Sequence, residues 1–539
     1  MSLPPKMKVK LGTESVSVRM YRGLLGDCFL LTHTAVDDAS GVSHTFRALI
    51  DCGVLQCIGA AGSKPNTKAA VGHMAAVVAS LARDTKPSAD AKSELDLVIA
   101  THEHYDHLSG FLLQFDAFKE FTIKAVWLAW TENDQDGLAK DINLNGKKAL
   151  AALVKAAAAS AFAVSDEGRR RGEAIVNLGQ FGFTWPGLSP DDPAAAAPVH
   201  ERVERPEEGQ SKTSLRSCKA VLNWLKTRPC DPKAVRYLEP GEVVQFGIGG
   251  RLIAHVLGPP RRADRLLKLN PTEGGKVERE VYLAKPDDVA ALETTLRVLE
   301  GASMGGGRIG GGVDYPFSPR FDRATAAIDA CDVAKLYYSQ DTLEAARRID
   351  GEWLGTAESL AMKIDGDVNN TSLALAIEVP GRDVLLFPAD AQVGNWLSWH
   401  DQVYPLKPEA KDTPTVTAED LLRRTIFYKV GHHGSHNATA RAKGLELMTS
   451  PDLVAMIPVV KSIAAEQKTS SNPKGWAMPY ADLNKRLKER TRERIIQGDG
   501  DRVTELANFD GKKSRFKLSY ADTTKDPLWA ELTLPLSAP

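Results

Sequence analysis

The feature that most constrains this chain is a short apolar segment that runs directly into a cluster of polar side chains. Residues 95–100 read LDLVIA, and residues 101–107 read THEHYDH. A short apolar run with polar residues on both sides predicts a buried strand. Over 107–121 apolar residues recur at helical spacing, which predicts an amphipathic helix, and 121–130 (FTIKAVWLAW) predicts another strand. Strand, loop, helix and strand in this order predict a layered α/β architecture.

The loop after the first of these strands contains four potential metal ligands within six positions: His102, His104, Asp106 and His107. Imidazole nitrogens and carboxylate oxygens suit zinc, manganese or iron. In extended backbone, positions 102 and 104 point to the same side and can chelate one ion together, while the next two ligands reach a second. The alternative is a polar turn whose histidines bond the backbone. Four ligand-type residues at this spacing favour the metal site.

Other predicted strands also end at side chains of this kind. Asp51 follows FRALI and is placed to accept the second N–H of a ligating histidine, although a plain turn aspartate fits too. Asp390 follows VLLF, where it can bridge two ions or cap the strand. The run KVGHHGSH over 429–436 sets His432 and His433 between glycines, one as a ligand and the other as a general acid or phosphate contact. We favour His433 as the ligand.

Six short motifs follow one another along the chain. They are GLLGD with Asp27, Asp51-x-Gly53, H-x-H-x-D-H at 102–107, N-N-x-S-L at 369–373, Ala389-Asp390 and KVGHHGS at 429–435. Their order resembles the metallo-β-lactamase fold, and their wording is similar to the hydrolase domain of the bacterial competence-protein (ComEC-like) family.

The resemblance implies an αββα sandwich with two large insertions. Residues 1–130 would form its first half and 365–539 its second half. Residues 131–239 would be a partly helical insertion, and 240–260 a hairpin that returns to the core. Residues 261–364 would be an insertion with a mobile Gly-rich loop at 301–312.

The resemblance also implies a binuclear hydrolytic centre with two divalent ions, zinc or manganese. His102 and His104 would hold one ion, Asp106 and His107 the other, with Asp390 bridging and His433 completing the second site. The expected catalytic side chains are Asp106, His432 and His433, and Asp51 and Asp27 would support the ligands from behind. His255 is the nearest candidate for a further ligand, although its surroundings (RLIAHVLGPP) predict a strand residue.

The leading functional hypothesis is a phosphodiesterase or nuclease acting on DNA or RNA, controlled by a protein partner in bacterial defence. Arg261, Arg262 and Lys268 would contact phosphates, unless they form a salt-bridged surface. A net charge of -1 and a pI near 6.9 speak against tight non-specific nucleic-acid binding. The alternatives are a hydrolase of small phosphodiesters or esters, and a partner-binding module with gated or vestigial hydrolysis.

Composition favours an ordinary globular protein, with 43% hydrophobic and 25% charged residues. The six cysteines are scattered without a CxxC pair, which fits a reducing compartment. The first residues, MSLPPKMKVK, have no apolar segment typical of a secretory signal. We therefore expect a soluble, cytoplasmic protein without a membrane partner.

Overall fold

The computed structural model describes residues 10, 13–57, 67–88, 90–143, 218–266, 268, 331–333, 366–405, 415–466, 475–510 and 514–536. Elements are numbered within these ranges. The strands are β1 (Glu14–Tyr21), β2 (Leu24–Leu25), β3 (Cys28–Val36), β4 (Ser43–Cys52), β5 (Gln56–Cys57), β6 (Glu94–Leu95), β7 (Leu97–Ala100), β8 (Thr122–Ile123), β9 (Val126–Ala129), β10 (Val235–Leu238), β11 (Val243–Phe246), β12 (Leu252–Gly258), β13 (Ala374–Glu378), β14 (Val384–Phe387), β15 (Val403–Pro405), β16 (Thr415–Thr417), β17 (Thr425–Lys429), β18 (Val454–Ile457), β19 (Ile495–Gln497), β20 (Lys517–Tyr520) and β21 (Trp529–Leu536).

The α-helices are α1 (Thr67–Asp84), α2 (Tyr105–Leu113), α3 (Phe115–Lys119), α4 (Cys218–Lys226), α5 (Ala263–Leu266), α6 (Val393–Ser398), α7 (Ala418–Arg423), α8 (Lys461–Glu466), α9 (Ala481–Thr491) and α10 (Arg502–Phe509). Within the ranges given above, none of the helices has both the length and the apolar character needed to cross a bilayer.

Two large mixed sheets carry the fold. The first has eight strands in the order β10-β9-β7-β4-β3-β1-β21-β20, and the second has seven in the order β11-β12-β13-β14-β17-β18-β19. In the first sheet β4, β7, β9 and β10 run parallel. In the second sheet β14, β17, β18 and β19 run parallel. Each sheet therefore has a parallel part, whose strand ends lie along one edge.

The inner faces of the two sheets pack on each other through one apolar core. The ring of Phe29 lies 6.3 Å from that of Phe387, and Trp127 lies 5.1 Å from Phe246, both edge to face. Helices α1 to α4 cover the outer face of the first sheet, and α6 to α9 cover that of the second. The predicted α/β class is confirmed, with layers in the order helix, sheet, sheet, helix.

The chain re-enters the first sheet earlier than the sequence predicts. Strand β10 pairs in parallel with β9, and α4 packs beside α2, so the core resumes by Cys218 and not at residue 240. Strand β10 is only four residues long and only its last residue is buried, so its pattern does not distinguish it from insertion sequence. Strands β11 and β12 then pair as an antiparallel hairpin. Residues 144–217 and the Gly-rich segment 301–312 lie outside the described residues.

The ends of the parallel strands bring the predicted ligands to one edge. Strand β7 leads into residues 101–107, β14 leads into Asp390, and β17 leads into His432 and His433. The predicted helix over 107–121 is divided at Gln114, whose φ of -123° ends α2 before α3 begins. Loops that follow the carboxyl ends of parallel strands are where α/β proteins place their sites.

Candidate metal centre

Six predicted ligands are buried side by side where the two sheets meet. His102, His104, Asp106, His107, Asp390 and His433 are each at most 1% exposed. Except for His104, their ligand atoms, with those of Asp27 and Asp51, form three groups, and the atoms within each group lie within 4.8 Å of one another. The groups are His102 with His107 and Asp390, Asp106 with Asp390 and His433, and Asp27 with Asp51 and His107.

This grouping differs from the pairing expected along the sequence. The sequence assigns His102 and His107 to different ions, but the structure groups them together, with ring centroids 4.1 Å apart. The ring of His104 lies 4.7 Å from that of His102 but belongs to none of the three groups. Asp390 and His107 each belong to two groups, and Asp390 is the member shared by the group of His102 and the group of His433.

Asp51 holds the start of the ligand loop. Its Oδ1 accepts the backbone N–H of Thr101 at 2.8 Å, and its Oδ2 accepts the Thr101 hydroxyl at 2.7 Å. The same Oδ2 lies 2.7 Å from Nδ1 of His107. Its φ of 54° is in the left-handed region, which costs a non-glycine residue free energy. The carboxylate thus fixes both the strand end and the orientation of one predicted ligand.

Close backbone approach makes glycine necessary beside the loop. A Cβ on Gly53 would lie 2.1 Å from the carbonyl carbon and oxygen of Asp106 and 2.3 Å from the nitrogen of His107. The amide of Gly53 donates to the carbonyl of Asp27 at 2.8 Å, and the amide of Asp27 donates to the carbonyl of Asp106 at 2.9 Å. The Asp-x-Gly motif therefore lets the β4 end pack directly on the first turn of α2.

Lys429 is a buried cation within the centre. Its ammonium is 2% exposed, pairs with Asp27 Oδ2 and lies 3.1 Å from Asp390 Oδ1. It also donates to the carbonyl of Ala389 at 3.1 Å. Burial lowers the pKa of Lys429, but the two carboxylates outweigh burial and raise it above its ordinary value, so the side chain stays charged.

The loop after β17 places two adjacent histidines, His432 and His433, in different surroundings. Both have positive φ, 43° at His432 and 53° at His433. His433 is fully buried, with Nδ1 2.8 Å from the Pro458 carbonyl and Nε2 2.8 Å from Asp106 Oδ2. A ring N–H donated to a carbonyl leaves the other nitrogen available as a ligand.

His432 is half-buried and belongs to none of the groups. Its backbone N–H donates to Asp390 Oδ1 at 2.9 Å, and its Nδ1 lies 3.2 Å from the Ser435 hydroxyl. Burial lowers the pKa of His432 to about 4, so the ring is neutral at pH 7. The Met478-Pro479 segment packs beside this loop, where the amide of Tyr480 donates to the Gly434 carbonyl at 2.8 Å.

Burial and neighbouring charges shift the pKa values of the predicted ligands in different directions. Burial lowers the pKa of His102 well below its ordinary value and that of His104 to about 4. Burial also lowers the pKa of His107, but Asp390, Asp27, Asp51 and Asp106 outweigh it and raise that pKa well above its ordinary value. Burial raises the pKa of Asp106, yet the charges of His107 and His433 and the His433 hydrogen bond bring it down to about 2. The Asp106 carboxylate is therefore ionised at pH 7, whereas burial raises the pKa of Asp27.

Several ligand atoms lack a hydrogen-bond partner among the described residues. They are His102 Nε2, Asp106 Oδ1 and Asp27 Oδ1, whereas His107 Nε2 and Asp390 Oδ2 face each other at 3.2 Å. Buried polar atoms nearly always have a partner, so a cluster of such atoms requires an explanation. The nitrogen and carboxylate atoms grouped here are of the kind that bind metal ions.

The remaining predicted residues lie elsewhere. His255 is buried in β12, with Nε2 3.6 Å from Glu378 Oε2 and its ring against Tyr404, so its neighbours are not those of the centre. Arg261 pairs with Asp136 at 2.6 Å and with Glu239 at 3.3 Å, and its guanidinium lies 4.3 Å from the ring centroid of Trp130.

Arg262 pairs with Asp264 at 2.7 Å. The carbonyl of Lys268 accepts the amide of Gly394 at 2.8 Å. Each predicted phosphate-binding arginine is thus already neutralised by carboxylates of the chain itself.

Three residues of the centre received no role from the sequence. Lys429 ends a fully buried strand, and a lysine inside such a strand is the one available signal. The sequence contains no comparable signal for Thr101 or Asn369, because the role of a small polar side chain depends on the distant group that it contacts. Asn369 is fully buried and hydrogen-bonds the ring of His104.

Comparison of this chain with protein-family models, with curated proteins and with solved structures finds no match. The assignment of a function therefore depends on the geometry of the centre.

Proposed function

We propose that this chain is a metal-dependent phosphodiesterase of the metallo-β-lactamase fold with two divalent ions, zinc or manganese. One observation carries the proposal. Five buried ligand-type side chains from both sheets form two groups that share Asp390, and the ligand atoms within each group lie within 4.8 Å of one another. The five are His102, Asp106, His107, Asp390 and His433. From the groups in the structure, His102 and His107 would hold one ion and Asp106 and His433 the other, with Asp390 shared and His104 beside His102 completing the first site. The layer order of helix, sheet, sheet and helix supports the proposed fold.

The carboxylates of the centre favour divalent cations. The pKa values of Asp106 and Asp390 are both held below the ordinary value, so both carboxylates are ionised at pH 7, and Lys429 offsets only one of the two charges. Divalent ions would offset the remaining negative charge and attract an anionic group, as a phosphodiester is.

The ions, when bound, would supply Lewis-acid stabilisation of phosphoryl oxygens and lower the pKa of water. The side chains of the protein would do the rest. Asp51 holds His107 in one tautomer, and the Pro458 carbonyl does the same for His433. His432 is neutral at pH 7 and partly exposed at the centre, so it can contact a phosphoryl oxygen or exchange a proton with a leaving group.

Two substrate classes follow from this chemistry, nucleic acid and small phosphodiesters. The pairing of Arg261 and Arg262 with carboxylates favours the small substrate, because a cation already neutralised displaces few counterions from nucleic acid. A small ester substrate would use the same centre. Control by a protein partner through the Gly-rich segment stays a prediction about residues outside those described.

The test uses the purified full chain with Mn²⁺ or Zn²⁺ against single- and double-stranded DNA, RNA and bis-p-nitrophenyl phosphate. We expect cleavage of the small diester, and its loss in the double variant His102→Ala/His104→Ala. The matched control is His44→Ala, which removes an exposed histidine of β4. Cleavage of nucleic acid as well would identify a nuclease. No cleavage of any diester with both ions present would contradict the proposal.

A further inference from the structure

A short segment between the two sheets contacts several parts of the centre at once. Residues 369–373 (NNTSL) precede β13, and the side chains of Asn369, Asn370 and Ser372 are fully buried. We refer to residues 369–373 as the brace. Buried polar side chains need partners, so the partners of these residues indicate what the segment does.

The brace is hydrogen-bonded to both ligand loops. The amide of Leu373 donates to the carbonyl of Thr101 at 3.0 Å, at the end of β7. The hydroxyl of Ser372 accepts the backbone N–H of Asp390 at 3.2 Å. Asn369 bonds the ring of His104. Within five residues the brace therefore contacts the strand end before His102, the ring of His104 and the backbone of Asp390.

The brace is itself fixed from behind. The side-chain amide of Asn395 donates to the carbonyls of Asn370 and Ser372 at 3.1 and 3.0 Å, and its backbone N–H donates to Asn370 Oδ1 at 3.0 Å. Asn370 in turn donates to the carbonyl of Leu266 at 2.6 Å. Every one of these groups is buried, so moving the brace would break several bonds together.

We infer that the brace is a positioning element, which sets the ligand loop of the first sheet at a fixed distance from the bridging carboxylate of the second. The inference rests on the proposed metal centre and assigns different residues of the brace to one ion or to both. Asn369 orients His104 and so acts on one ion. Ser372 orients Asp390, which both ions share, and so acts on both.

The mechanism is that of hydrogen-bonded groups behind a metal ligand. Such groups fix the ring or carboxylate in the geometry that the ion requires, and their loss costs about 10–100-fold in metal affinity. The metal-free fold depends on them less, because the brace keeps its remaining bonds to Thr101 and Asn395.

The experiment titrates the metal-free full chain with Zn²⁺ in competition with a chromophoric chelator, so it requires no substrate. The variants are Ser372→Ala and Asn369→Leu. The matched control is Thr371→Val, whose hydroxyl donates to the Val368 carbonyl within the same turn. We expect Asn369→Leu to weaken one of two ions by about 10–100-fold and Ser372→Ala to weaken both. Thr371→Val should leave both unchanged.

Two further measurements separate positioning from general destabilisation. Urea unfolding of each metal-free variant reports its stability, and Asn369→Asp, which keeps a polar group of the same size, should retain both ions. In the Co²⁺-substituted Asn369→Leu variant, the absorption band of one ion should be lost and that of the other ion retained. Two ions bound at wild-type affinity in Ser372→Ala and Asn369→Leu would overturn the inference while leaving the metal centre intact. A wild-type chain that binds no ion would overturn both.

Discussion

The Nδ1 atom of His107 lies 2.7 Å from Oδ2 of Asp51, 56 residues earlier in the chain. The contact leaves Nε2 directed at Asp390, at 3.2 Å from its Oδ2. Without metal, the surrounding carboxylates outweigh burial and raise the pKa of His107 well above its ordinary value, so the ring carries a proton on each nitrogen. A metal ion would replace the proton on Nε2, while Asp51 keeps the one on Nδ1.

Asp51→Asn should weaken metal binding although Asp51 is not placed as a ligand. The amide cannot accept from His107 and Thr101 as the carboxylate does, and loss of such support costs about 10–100-fold in affinity. Zn²⁺ titration against a chelator measures the effect. Asp38→Asn, on an exposed turn, is the control and should bind as the wild type does. If Asp51→Asn bound Zn²⁺ with the affinity of the wild type, the positioning role of Asp51 would be contradicted.

Gly53→Ala should disturb the centre by steric means alone. The added Cβ meets the backbone of Asp106 at 2.1 Å, so α2 must shift. We expect a loss of about 1–3 kcal/mol in the free energy of unfolding and weaker metal binding. Gly72→Ala is the contrast, because Gly72 is exposed in α1 with no atom within 4 Å. That change should stabilise the protein by up to about 1 kcal/mol in urea unfolding. Similar outcomes for the two variants would contradict the packing described.

Lys429→Met should destabilise the metal-free protein by about 3–5 kcal/mol, because it leaves Asp27 and Asp390 as buried carboxylates without their cation. Saturating Zn²⁺ should reduce the deficit, since the ions offset the same negative charge. Urea unfolding with and without Zn²⁺ measures both quantities. Lys517→Met, on an exposed strand position, should change stability by under about 0.5 kcal/mol. A deficit that metal does not reduce would argue against ions at this place.

Glu446 on the second sheet's side makes stability depend on pH. It accepts from Arg486 and Arg490 of α9, each at 2.5 Å, and the Arg486 hydrogen bond leads in lowering its pKa from 4.5 to about 2. A lowered folded pKa stabilises the protein above pH 4.5, and that stability is lost as the pH falls toward 2. Because solvent screens the group, each pair should contribute only about 0.2–1 kcal/mol. Glu446→Gln should therefore be less stable than the wild type at pH 6, and the two should converge near pH 2 in urea unfolding.

The local parts of the fold could be predicted from the sequence. The apolar run before Thr101 forms β7, and the helical spacing after it forms α2 and α3. These elements depend on neighbours a few residues away. The pairing of Glu14 with Leu536 and of β10 with β9 could not be predicted, because strand partners far apart in sequence leave no periodic signal.

The residues of the candidate site could also be predicted in part, whereas their contacts with one another could not. Residue type and spacing were enough to select His102, Asp106 and Asp390, because each follows an apolar strand. The closeness of His107 to His102, and the buried ammonium of Lys429 among the carboxylates, depend on side-chain rotamers and on the packing of two sheets. Neither can be worked out from positions along one strand.

The metal content of the purified full chain tests the central claim most directly. Mass spectrometry of the protein after loading with Zn²⁺ or Mn²⁺ and removal of the excess should give two ions per chain. His102→Ala/His104→Ala should retain at most one, and His44→Ala should retain two. No bound ion in the wild-type chain, or two ions in the double variant, would contradict a binuclear centre at these residues.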